Sequence, residues 1–212
     1  MKKLLQNIAL FSALAIGGTA NVLAMPIVDQ SQATTNGGVA FWSDLQQAQT
    51  FTAGITGQLT QLDVPLGLNR GTGFTGNETA YISLVEWGTN APGTVLGNTS
   101  ILLSSASTLQ SLDLTSENIF LTAGSMYAFV LSNDLTYISL PDPYRNTGIR
   151  VQWDADSYTG GSLWTHYSSG WAERSGVDTV FTTYVNAVPA PSVLFLLAGG
   201  LAGLTYFRRK LA

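Results

Sequence analysis

Between residues 25 and 187 no stretch of ten or more residues carries a 3.6-residue apolar period, whereas short runs rich in β-branched and aromatic residues recur at roughly ten-residue spacing. That pattern excludes a helical bundle and predicts an all-β fold. Ala80–Trp87, Ser125–Leu131 and Thr179–Val185 read as the firmest strands, being dense in residues that suit a pleated, half-buried surface. Further strands are expected at Val39–Ser43, Gln49–Ala53, Leu59–Leu66, Val95–Leu103, Ile149–Trp153 and Leu163–Tyr167. Between them fall turn clusters such as Asn69-Arg70-Gly71-Thr72-Gly73, Asn90-Ala91-Pro92-Gly93 and Thr159-Gly160-Gly161. Many short strands joined by glycine-rich turns predict a β-sandwich of the jelly-roll kind. Pro65 cannot donate to a ladder, so its segment is expected to be an edge strand or to carry a bulge.

The charges divide the chain. Nine basic residues are present, and five sit at the ends: Lys2, Lys3, Arg208, Arg209 and Lys210. The interior keeps four arginines against all thirteen acids, a net charge of −9, and contains no lysine. A domain so acidic lacks the basic footprint that nucleic acid requires. Each terminal basic cluster adjoins an apolar run. Lys2-Lys3, the run Ile8–Ile16 and the small-residue pattern Val22-Leu23-Ala24 have the order of a secretory signal peptide, residues 1–24. At the other end, Val193–Phe207 holds fifteen uncharged residues followed by Arg208-Arg209-Lys210. As a helix this run spans about 22 Å, short of the roughly 30 Å hydrocarbon core, so it reads as a marginal single transmembrane helix. The basic tail 208–210 places that end in the cytoplasm and the β domain, 25–187, outside it.

Val188-Pro189-Ala190-Pro191-Ser192, the short apolar run and the basic tail together resemble the PEP-CTERM sorting signal. The resemblance covers 188–212, with Ala190 standing where the family pattern has glutamate. It implies processing by an exosortase-type enzyme after transient residence in the inner membrane of a Gram-negative bacterium. The ectodomain would face the periplasm first, then the cell surface or an exopolysaccharide matrix. Independently of the family, two prolines in three residues favour an extended segment that an enzyme can bind as a strand, or else a stiff spacer before a plain anchor. The order of Gln49–Ala53, Gly57–Thr60, Ala91–Leu96, Tyr127–Leu131 and Val180–Val185 also resembles recurrent exported jelly-roll ectodomains.

Catalytic chemistry finds little to work with. No cysteine is present, which excludes thiolate metal sites, disulfides and cysteine nucleophiles. His166 is the only histidine, and no G-x-S-x-G elbow occurs, so a hydrolase is the least favoured reading and no catalytic residue is assigned. Asp154 and Asp156 read as a solvated turn first, as ligands of a structural calcium second, and as a catalytic pair last. No other cofactor is expected. Tyr144, Trp153, Tyr158, Trp164, Tyr167 and Trp171 crowd one region, interleaved with Asp142, Arg145, Glu173 and Arg174. Exposed rings beside hydrogen-bonding groups are what a glycan-binding surface requires. The competing reading is that these rings form the core and belt of the sandwich. Two functions therefore stand: a non-catalytic surface or matrix protein, and a carbohydrate-binding module built on the region 144–174.

Overall fold

The computed structural model describes residues 25–33, 37–41, 46–69, 78–103, 108–133, 148–155 and 158–188. The signal-peptide reading of 1–24 and the segment 189–212 lie outside the described residues, and so do Tyr144 and Asp156. In chain order the strands are β1 Ile27–Gln32, β2 Gly37–Phe41, β3 Gln46–Thr52, β4 Gly57–Asn69, β5 Glu78–Trp87, β6 Pro92–Leu103 and β7 Thr108–Asp113. They continue with β8 Phe120–Leu121, β9 Met126–Asn133, β10 Gly148–Ala155, β11 Leu163–Tyr167, β12 Gly170–Glu173, β13 Val177–Thr179 and β14 Phe181–Ala187. Among the described residues one 3-10 turn, Thr115–Glu117, interrupts them.

Two antiparallel sheets result. One has the order β1-β14-β4-β10-β13, with β2 on β10 and both β7 and β8 on β4. The other runs β12-β11-β3-β9-β5-β6. The all-β sandwich expected from the sequence is present. Alternation explains which faces meet. In β14, Phe181, Thr183 and Val185 are buried while Thr182 and Tyr184 between them are half-exposed. In β9, Tyr127, Phe129 and Leu131 turn inward to meet them. Phe181 sits at the centre, 5.4 Å from Phe129, 6.1 Å from Phe51 and 5.2 Å from Tyr158, ring centroid to centroid.

β4 carries most of its sheet, and its apolar residues break strict alternation: Leu59, then Leu62, Val64, Leu66 and Leu68. The register shows why. Val185 faces Leu59 while Tyr184 faces Gln61, so Thr60 is an extra residue, and this bulge returns the later leucines to the core. The segment that holds Pro65 carries the expected bulge, at Thr60 five residues earlier, and its strand is central, not an edge. Pro65 pairs with Leu109 of β7 on one side. On the other side β14 ends its pairing at Asp63 and β10 begins at Leu66, so the proline occupies the gap between two partners. A residue without an N–H is tolerated there because no ladder bond is asked of it on that side.

Candidate functional site

The outward face of the six-stranded sheet is unusually apolar. Residues Ala48 of β3, Val85 and Trp87 of β5, and Ala128 and Val130 of β9 form a second buried cluster, against which Trp164 of β11 and Trp171 of β12 pack. Trp87 is the hub. It lies 5.4 Å from Trp164, tilted by 51°, and 5.7 Å from Trp171 in an edge-on contact. Trp87 itself is only 9% exposed, while the two outer rings are half-exposed. Three tryptophans from three strands thus stack where a sandwich needs no hydrophobic layer.

Beside this stack a cleft of about 490 Å³ opens, lined by Trp87, Trp164, Met126, Thr50, Thr52 and Asn90 together with Gly88 and residues 159–162. Its volume falls within the roughly 300–1,000 Å³ of small-ligand sites. One wall is the segment 159–162, and hydrogen bonds along it and at the preceding Tyr158 fix it in place. The Tyr158 amide donates to Asp178 Oδ2 at 3.2 Å, the Thr52 hydroxyl to the Gly160 carbonyl at 2.9 Å, and the Ser162 amide to Thr50 Oγ1 at 2.7 Å. Asp178 is wholly buried and also accepts from Gln49 Nε2 at 3.0 Å, while Gln49 Oε1 accepts the Thr179 amide at 2.6 Å. Gln49 belongs to one sheet and Asp178 to the other, so this polar clasp ties the sheets together behind the cleft.

The expected aromatic set divides. Trp164 and Trp171 share the outer stack. Tyr167 lies at the end of β11, its hydroxyl accepting from Arg174 Nη1 at 3.1 Å. Tyr158 is corrected: its ring is 8% exposed, packs edge-on against Phe181 in the main core and donates its hydroxyl to Gln30 Oε1 at 2.9 Å. Burial pushes its phenol well above the ordinary range, as befits a hydroxyl kept neutral inside the sandwich. Trp153 lies in β10 opposite Thr179 and Gly37. The favoured turn reading of Asp154 is corrected as well, since its backbone continues β10 and pairs with Asp178. Among the described residues no cluster of three or more histidine and carboxylate side chains could hold a metal ion. His166 stacks on Trp171 at 5.1 Å and takes no part in lining the cleft. Sequence reasoning missed Trp87 as a site residue. The one available signal was a tryptophan closing a strand just before the turn Gly88-Thr89-Asn90.

The fold and cleft define a two-sheet β-sandwich with an aromatic recess on one outer face. The chain also carries a family mark: residues 187–210 match the PEP-CTERM protein-sorting motif. That motif implies an exported protein, anchored in a membrane and then processed by an exosortase-type partner. No curated protein matches the sequence. Among solved structures, the chain is similar to the cysteine protease and lectin-like domains of a surface layer associated protein of Clostridium difficile. The TM-score is 0.52 at 11% identity, over 77% of this chain and 36% of that one. It is equally similar to a propeptide-cleaved clostridial cysteine protease, with TM-score 0.52, 11% identity, and coverage of 77% and 40%. The chain therefore spans two fifths or less of those structures, and at this identity the likeness concerns fold alone.

Proposed function

We propose that this chain is an exported surface protein, released to the cell surface or an exopolysaccharide matrix by exosortase processing, whose β domain is a non-catalytic polysaccharide-binding module. The observation that carries the binding reading is the cleft at Trp87 and Trp164. Indole faces there meet apolar C–H groups of a sugar ring, while Asn90 and the side chains of Thr159 and Ser162 meet its hydroxyls. Because the recess is built on strands and a clasped segment, little ordering cost is left for binding. The non-catalytic reading is supported by the absence of cysteine from the sequence and by the position of its one histidine, which packs on Trp171 beside the cleft.

Affinity electrophoresis of residues 25–188 through gels containing soluble glucans, mannans, xylans and bacterial exopolysaccharides tests it. Retardation is expected on at least one glycan. Trp164→Ala is expected to weaken it by about tenfold, equivalent to ~1.4 kcal/mol, without loss of β structure. Leu109→Ala, on the other sheet, should leave it unchanged. No retardation across the panel refutes the binding reading.

A further inference from the structure

The last strand of the domain ends flush with the sorting segment. β14 runs to Ala187, and the Val188 amide still donates to the Thr56 carbonyl at 3.1 Å. Only four residues, Pro189 to Ser192, separate that bond from the uncharged run beginning at Val193. Fully extended, four residues reach at most about 14 Å. Whatever bilayer the apolar run enters, this end of the sandwich is held close to it.

That same end gathers exposed apolar side chains. Met25, Ile27, Val28, Phe120 and Val188 are between 46% and 81% exposed. The ladder places them at one end of the sheet: Phe120 faces Gln58, Gln58 faces Asn186, and Val28 faces Tyr184 two residues along β14, so Phe120 and Val28 share its outer face, while Ile27, facing Val185, lies at the edge on the other face. The other large exposed apolar residues among those described, Tyr81, Val95, Leu102, Leu109 and Met126, are scattered over four strands of both sheets. A collected apolar rim on an otherwise acidic domain needs a partner. The five rim residues include no cation, so anionic headgroups are not what would attract them.

We propose that this rim, centred on Phe120, Val28 and Val188, is a lipid-contacting surface that rests in the headgroup region of the bilayer while the C-terminal segment is still attached. The tether supplies proximity, and shallow burial of the rim supplies orientation, which holds the Pro189-Ala190-Pro191 sequence near the membrane surface where a membrane-embedded processing enzyme must reach it.

The cysteine-free sequence makes the test direct. Phe120→Cys and, separately, Val28→Cys are introduced into the full chain, labelled with an environment-sensitive fluorophore and reconstituted into phosphatidylcholine vesicles containing brominated acyl chains. Leu109→Cys serves as reference. It faces Pro65, seven residues along β4 from the Gln58 that faces Phe120, or about 20 Å away. Labels at 120 and 28 are expected to shift to the blue and to be quenched by bromine, and the label at 109 to remain in water. Equal water exposure at all three sites overturns the proposal, as does failure of the chain to associate with vesicles. Protection at 120 that ignores bromine and grows with the number of chains per vesicle also overturns it, because a second copy would then cover the rim.

Discussion

Gln49 and Asp178 occupy positions where a sandwich interior ordinarily holds apolar side chains, and they are satisfied by each other and by the Thr179 and Tyr158 amides. Gln49→Ala removes a donor from a buried carboxylate and an acceptor from the Thr179 amide at once. Leaving such groups short of partners costs about 3 kcal/mol, or roughly 6–12 °C in melting temperature for a domain of this size. Thermal unfolding followed by circular dichroism checks this, and a fall under about 2 °C would show that the clasp contributes little. Asp29 works in the opposite sense. It sits at the β1 bulge, where Oδ1 accepts the Gly54 amide at 2.9 Å while Oδ2 is buried without a partner. Burial raises its carboxyl above the ordinary range, so the folded state holds that proton more tightly than the unfolded chain does. Stability contributed by this residue therefore decreases as pH rises through the raised value. Asp29→Asn keeps the acceptor for Gly54 and removes the charge. It is expected to melt higher than the parent near neutral pH, with the difference closing on acidification, as melting curves across that range would show.

Whole strands were legible in proportion to how much of their stability comes from their own side chains. β5, β9 and β14 alternate large apolar residues and could be read directly. β1, with sequence IVDQSQ, and β7, with TLQSLD, are mostly polar and were missed, because their strand state is conferred by the ladders to β14 and β4. β13 was missed for a related reason, since only three residues pair, and one is the buried Asp178. The cleft was legible in part. Trp164 stands out as an aromatic in a turn-rich region, but Trp87, Thr50 and Asn90 are far away in sequence and meet it only through the strand order β11-β3-β9-β5. The segment 159–162 illustrates how such a wall is held. A Cβ on Gly161 would collide with the Thr50 carbonyl, a backbone atom that cannot step aside. Gly161→Ala is expected to push the wall off β3 and abolish glycan retardation while far-ultraviolet circular dichroism still reports a β-sandwich. Retained binding in that variant would place the ligand elsewhere.

On the scale of the whole molecule, the tryptophan recess and the apolar rim occupy different regions of the acidic, lysine-free domain. The recess lies on the outer face of the six-stranded sheet, and the rim lies at the end of the eight-stranded sheet where β14 leaves the fold. A domain held at a membrane by its rim can thus present its recess to other partners, and removal of the C-terminal segment would free it from the membrane without disturbing β14, whose pairing ends before Pro189. The direct test of this account is the intact mass of the mature chain recovered from cells that possess an exosortase and from cells that lack it. The account predicts that the apolar run Val193–Phe207 and the basic tail are missing from the mature chain only when the exosortase is present. An identical mass in both, with the C-terminal segment retained, would contradict it and leave a permanently anchored protein.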